Sequence, residues 1–234
     1  TDSSERNIDQ VTLGKTSQCS SSAAVNGDVN VGGVAGSMAV EYELDPEDDV
    51  SGSLSGTYRR QYEYKAVILR CTNSGEVTSK RTYAGGICGR GYSIISSLAM
   101  GNVAGAGANT DRVEAIRQGG VPGPALYAYK GQIAGQLTED EKGPNANGLL
   151  TGEELGSPTT WQDKIRLGSE WDYSPIDRGC APKVRYDCQR EGWQQEDIPL
   201  PGQGSDPTLR VEEAVHGNSG EYYVKARLSH PGVD

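Results

Sequence analysis

The sequence predicts a mainly β chain: a short, right-handed parallel β-helix (a solenoid) with loop and helical insertions and an α+β C-terminal cap. Three observations lead there. Val31-Gly32-Gly33-Val34-Ala35-Gly36 returns as Ala84-Gly85-Gly86-Ile87-Cys88-Gly89, and more loosely as Lys130-Gly131-Gln132-Ile133-Ala134-Gly135. Upstream of each copy, Cys19-x-x-x-Ala23-x-Val25 matches Cys71-x-x-x-Gly75-x-Val77 and Ser97-x-x-x-Gly101-x-Val103. Units that each carry a β-branched position, a Gly turn and a Gly-Gly close suit stacked β-structure, in which every repeat contacts its neighbours. The third observation is compositional. The apolar fraction is 35%, with 32 Gly and no Phe, so the core must be thin and filled by Val, Ile, Leu, Ala and Cys.

The elements follow in chain order. Residues 1–13 form a polar lead-in with one strand at Val11 to Leu13. The first repeat, Lys15 to Gly36, has Val25, Val29, Val31 and Val34 on strands broken by turns at Asn26-Gly27 and Gly32-Gly33. In the second, Ala66 to Leu69 is a buried strand, Asn73-Ser74-Gly75 a turn, Glu76 to Ser79 a strand, and Tyr83 to Cys88 a strand broken by two glycines. The third begins near Tyr92-Ser93-Ile94-Ile95 and closes at Gly135. Because one turn of such a fold takes roughly 20–30 residues, the longer intervals between Gly36, Gly89 and Gly135 contain insertions. These are placed at 39–64 and 105–127, the second holding a short helix from Asn109 or Thr110 to Arg117, stopped by Gly119-Gly120. After Gly135 the pattern fades. A helical turn capped by Thr151, a second short helix at Ser157 to Trp161, an extended stretch from Trp171 and an edge strand at Pro182 to Tyr186 are expected. Asp197 to Gly202 reads as a Pro-bracketed linker, and Thr208 to Val215 with Glu221 to Leu228 as a hairpin around Gly217-Asn218-Ser219-Gly220. The domain reading is a solenoid with insertions over 1–148, a closing segment over 149–203, and a hairpin over 204–234 that begins a next domain or packs on the rest.

These residues resemble the GLUG repeat, a Gly-Gly-hydrophobic-x-Gly motif of large bacterial surface proteins. The resemblance covers Lys15 to Gly135 and implies long parallel β-solenoid regions, as in filamentous adhesins. Gly148 to Pro201 is similar to the closing part of such regions in cell-surface proteins of anaerobic Gram-positive bacteria. By resemblance, the expected function is a non-catalytic, adhesin-like scaffold of a larger secreted or wall-attached protein. Its partners would be a host glycan or surface protein and the neighbouring domains of the parent. His-Glu-x-x-His is missing, so the peptidase activity of some GLUG-bearing proteins does not carry over.

Charge narrows the partners. A net charge of -10 and a pI near 4.8 oppose binding to a phosphate backbone. No apolar run approaches the ~20 residues that cross a bilayer as a helix, so membrane insertion is not expected. Because the chain begins at Thr1 with no recognisable secretion signal or C-terminal anchor in the sequence given, a processed or excised piece of something larger is expected.

Candidate sites are weighed against plainer roles. Gly32, Gly33, Gly36, Gly85, Gly86, Gly89, Gly131 and Gly135 are read as structural repeat glycines, with a backbone at positive φ close to a neighbouring strand. In the acidic run Glu41 to Asp49, Asp45, Asp48 and Asp49 are a calcium candidate, but the spacing is not that of an EF-hand and a solvated loop is favoured. No other cofactor is expected. Trp161, Trp171 and Tyr173 could stack on a sugar, the alternative reading being a carbohydrate-binding accessory module; as large aromatics they would equally seal the end of a Phe-free core, which is favoured. Cys19, Cys71 and Cys88 serve as small buried hydrophobes inside the repeats. Cys180 and Cys188 are either bridged or two thiols. With His216 and His230 the only histidines, both in the final hairpin region, nucleophilic triads are disfavoured and no enzyme is expected.

Overall fold

The structure is a computed structural model that describes residues 14–41, 62–64, 66–105, 109–117, 123–185, 195–202, 208–216 and 222–229. It is mainly β, and its larger sheets are parallel. The first repeat supplies β1 (Lys15–Ser17), β2 (Ser20–Ser21), β3 (Val25–Gly32) and β4 (Ala35–Ser37), followed by β5 (Ala39–Glu41) and β6 (Tyr62–Tyr64). The second supplies β7 (Val67–Leu69), β8 (Thr72–Asn73), β9 (Val77–Gly85) and β10 (Cys88–Gly91). The third supplies β11 (Ser93–Ile95), β12 (Ser97–Ala99), β13 (Val103–Gly105), β14 (Thr110–Asp111) and β15 (Glu114–Arg117). Then come β16 (Leu126–Tyr129) and β17 (Gly148–Leu150).

Within the three repeats the strands of the parallel sheets pair with strands of an adjacent repeat, whereas β5 pairs antiparallel with β6, and β16 pairs with β17. The sheets run β1-β7-β11, β4-β10-β15 and β2-β8-β12-β16-β17, while β9 pairs with β3, β13 and β14. Parallel strands need a long crossover, and here the remaining strands of the repeat supply it. The upstream pattern seen in sequence is a register fact. Val25, Val77 and Val103 pair in one column, and Cys19, Cys71 and Ser97 fall in another beside the Ser20–Thr72–Leu98 pairing.

The corner between the first two strands of each repeat is turned by residues in the left-handed region. They are Gln18, Arg70, Ser96 and Ala125, at φ 56°, 56°, 51° and 59°. None is a glycine, and such a residue costs roughly 1–2 kcal/mol. The parallel hydrogen bonds continue straight through the corner: Gln18 N–H donates to Leu69 O, Arg70 N–H to Ile95 O and Ser96 N–H to Pro124 O, each at 3.0 Å. Asn30 in β3 and Tyr83 in β9 are also left-handed, at φ 57° and 62°. This corrects the expectation that the Gly-Gly pairs carry the positive φ; of the eight repeat glycines only Gly135, at +54°, does.

Apolar side chains divide by face. Ile68, Ile87, Ile94, Ala99, Val113, Leu126 and Ala128 fill one buried cluster, and Val31, Val77, Ala84, Val103 and Ala134 another. Successive residues of a strand point to opposite faces, so Leu98, beside Ala99, belongs to a third cluster on the other side of the five-stranded sheet. There residues 150–200 pack: Leu155, Trp161, Ile165, Leu167, Trp171, Ile176 and Leu200 are all buried against it. The closing segment therefore covers a flank of the sheet, where the sequence suggested the end of a stack.

Within that segment, Thr151 caps the helical turn α1 (Gly152–Leu155) with a capping box: its hydroxyl accepts from Glu154 N–H, and Glu154 accepts from Thr151 N–H. A short helix follows at 158–165, wound as a π-helix over Thr160–Ile165. β18 (Trp171–Asp172) pairs antiparallel with β19 (Lys183–Val184). Residues 197–200 are docked, correcting the linker reading: Ala181 N–H donates to Ile198 O and Leu200 N–H to Gly179 O. The final hairpin forms as expected, from β20 (Thr208–His216) and β21 (Tyr222–Ser229).

Three further expectations are corrected. Asn26-Gly27 is not a turn; β3 runs through it with a register shift before Val29. The stretch Asn109 to Arg117 is not helical, because β14 and β15 pair with β9 and β10, and that backbone ladder outweighs local helical periodicity. For the same reason 105–127 is not a single excursion. In the 39–64 insertion the described strands β5 and β6 pair antiparallel, apart from the parallel sheets.

Candidate functional site

Gly32, Gly36, Gly85, Gly86 and Gly89 sit where another stretch of backbone passes too close for a side chain. A Cβ on Gly32 would lie 2.6 Å from Cys88 Cα and 2.7 Å from Ile87 O. On Gly85 it would lie 2.8 Å from both Glu114 Cα and Val113 O. Gly33 abuts the buried Asn73 amide, and Gly33 N–H donates to Gly86 O at 3.3 Å. Gly36 and Gly89 both face the Asn30 backbone.

The third member of that column is not Gly131 to Gly135. Asp111 pairs with Gly85, Gly86 N–H donates to Arg112 O, Ile87 N–H to Val113 O, and Cys88 pairs with Glu114. Asp111-Arg112-Val113-Glu114-Ala115 thus stands where Gly-Gly-Ile-Cys-Gly stood one repeat earlier. The reason is steric: β14 and β15 end their ladders among the described residues, so no further strand presses on them and side chains fit. Ala134 instead bridges Val103, and Gly131 packs on the Tyr129 ring.

The side chains admitted there form the most highly charged buried cluster among the described residues. Asp111, Arg112, Glu114 and Gln132 are at most 3% exposed. Arg112 holds the returning chain through backbone carbonyls: Nε donates to Glu141 O at 2.7 Å, Nη2 to Thr138 O at 2.8 Å, and Nη1 to Gln132 O at 2.5 Å and Tyr129 O at 3.4 Å. Gln132 Nε2 donates to Gly101 O and Arg112 O. Asn145 Nδ2 reaches Glu114 O at 2.9 Å, and Arg117 pairs with the Glu114 carboxylate. Glu114 Oε2 and Arg117 Nε have no partner. A signal for this cluster existed in the sequence: Gly85 to Asp111 is the same interval as Cys71 to Ser97. It was hidden because no residue type repeats.

Burial pushes the Glu114 carboxyl up to about 7, against the pull of Arg117. Burial likewise raises Asp111 to about 6, against donation from the Val113 and Arg112 N–H groups. Both folded values exceed those of the unfolded chain, so the native state binds these protons more tightly. Stability therefore rises as pH falls from 8 towards 5, and the gain is lost as pH rises through 6 and 7. The two groups together are expected to contribute on the order of a few kcal/mol. Asp28, Glu141, Glu154, Asp172 and Asp197 are shifted down, chiefly by hydrogen bonds, and destabilise the fold only once they protonate in more acidic solution. Thermal melts from pH 8 to 5 should show Tm rising in the parent and flattening in Asp111→Asn/Glu114→Gln; a parent Tm that falls across that range would contradict the account.

The aromatic platform is corrected. Trp161 and Trp171 are 0% exposed, and Trp161 Nε1 donates to Leu155 O at 2.8 Å. Tyr173 is half-buried and its hydroxyl donates to Gly168 O at 2.6 Å. The indole faces are consumed by the flank core, since burying so large an apolar surface contributes more than leaving it to meet a ligand. Asp45, Asp48, Asp49, Cys188 and His230 lie outside the described residues. Among the described residues no group of three or more His, Cys, Asp or Glu is placed to hold a metal ion, and no helix is long and apolar enough to cross a membrane. Compared with known proteins, the chain matches no family model, no curated protein and no solved structure at significant similarity.

Proposed function

We propose that the chain is a non-catalytic scaffold of GLUG-like type, a short parallel β-helix that displays an inserted loop at a bacterial cell surface or in a secreted protein. The stacking of equivalent positions in three repeats supports the β-helical reading, because each repeat then serves as the template for the next. The display reading rests on one observation. The insertion at 39–64 leaves the ladder as an antiparallel pair, while the flanking strands keep their register: Ser37 with Arg90 before it, Val67 with Lys15 after it. A rigid frame that carries an insertion without disturbance is suited to presenting it to a partner. A host glycan or surface protein is the class of partner that fits. The carbohydrate-module alternative draws no support from Trp161 and Trp171, which are both covered.

The test compares the chain with a variant in which residues 42–61 are replaced by a short Gly-Ser turn, on arrays of host glycans and matrix proteins. Binding by the parent, lost in the variant with the β-sheet circular dichroism and Tm preserved, is the expected result. Equal binding by both would place recognition elsewhere and end the display reading.

A further inference from the structure

The Cys19–Cys71 column has chemistry that packing alone does not use. Ser17 pairs with Leu69 and Ser20 with Thr72 at one unbroken offset, so Cys19 stands directly opposite Cys71. Thr72 N–H donates to Cys19 O at 2.9 Å, which closes the ladder immediately beside the pair. Both thiols adopt the same pose: Cys19 Sγ donates to Ser17 O at 3.3 Å and Cys71 Sγ to Leu69 O at 3.4 Å. Cys71 Sγ also lies 3.8 Å from Thr16 O, across the strand gap in the first repeat. Neighbouring parallel strands are about 4.8 Å apart, inside the range of Cα separations a disulfide spans. Cys19 is exposed and Cys71 buried, so one partner is open to an oxidant while the other waits behind it. Among the described residues β1 and β2, which flank Cys19, are the end strands of their sheets.

We propose that Cys19 and Cys71 are a disulfide site that clips the first repeat to the second when a small disulfide oxidant is present. The Cys19 thiolate attacks one sulfur of the oxidant, breaking its S–S bond and releasing one thiolate. Cys71 then gives its proton to solvent and attacks Cys19 Sγ, displacing the second half of the oxidant. Two protein thiols are oxidised, and one external disulfide is reduced to two thiols. Burial pushes the Cys71 thiol up to about 11, with Cys19 among the groups acting on it, so the second step is the slower one and quickens with rising pH. The bridge closes the loop that contains the 39–64 insertion, so the unfolded chain is strongly constrained.

The experiment treats the reduced full chain with oxidised glutathione at pH 8 and maps the peptides without reduction. A Cys19 peptide joined to a Cys71 peptide is expected, with Tm raised by on the order of 10 °C over the reduced protein. Cys71→Ser is the control, because Ser97 fills the same column position and donates to Ile95 O in the same way. This variant should keep its fold, hold glutathione on Cys19, and show no such rise. A wild-type protein that stops at the Cys19–glutathione adduct, joins Cys19 to another cysteine, or leaves both thiols unreacted would overturn the proposal. So would a Cys71→Ser variant stabilised as much as the parent.

Discussion

Gly85→Ala is expected to lower the unfolding free energy by about 3 kcal/mol or more, whereas Gly14→Ala leaves it within about 0.5 kcal/mol. The two glycines differ in what a methyl group would meet. At Gly85 the neighbours are the backbone of the next repeat, Glu114 Cα and Val113 O at 2.8 Å, together with the Cys88 carbonyl of its own repeat. Backbone cannot swing aside as a side-chain tip can, so relief requires β15 to move off β10 and break the parallel bonds of that ladder. At Gly14 the nearest atom is Ala66 Cβ at 3.8 Å, an ordinary contact. Chemical denaturation of the two variants separates the cases. Equal stability would mean that the close approach of the strands does not govern these positions.

Arg112→Met should cost about 3–5 kcal/mol and release the chain between 130 and 146. The guanidinium supplies donors to the carbonyls of Tyr129, Gln132, Thr138 and Glu141 from a fully buried position. Methionine fills much of the volume but donates nothing, and carbonyls left unpaired in the interior carry the desolvation penalty. Hydrogen exchange reads the effect locally: the amides of Gly135, Leu137 and Glu141, which donate to Val103, Ala134 and Thr138, are expected to lose protection. Arg112→Lys should rescue little, because a single ammonium cannot match the planar fork that reaches four acceptors. If lysine restores the parent's protection, the role assigned to the guanidinium fails.

The first two repeats were readable because their close approach demands glycine on each side of the contact, and glycine is conspicuous. The third was not. At the end of the ladder that demand lapses, so Asp111, Arg112 and Glu114 replaced the small residues and the motif appeared to move to Gly131–Gly135. The helical reading of Asn109 to Arg117 failed in the same place, since local spacing carries no record of a strand waiting one repeat away. Corners were illegible for a related reason: Gln18, Arg70, Ser96 and Ala125 hold the left-handed turn by ladder hydrogen bonds rather than by residue type.

By itself, then, the sequence determined the β class, the alignment of Val25, Val77 and Val103 and of Cys19 with Cys71 as equivalent repeat positions, the Thr151 cap and the final hairpin, because each follows from spacing or from a residue's own backbone preference. Tertiary structure alone decided that Trp161 and Trp171 are buried in the core on a flank of the sheet. It likewise decided where the glycine column ends, and that four charged or amide side chains lie buried beneath the returning chain. Those outcomes depend on which surfaces meet, and burial is set by the neighbour as much as by the residue.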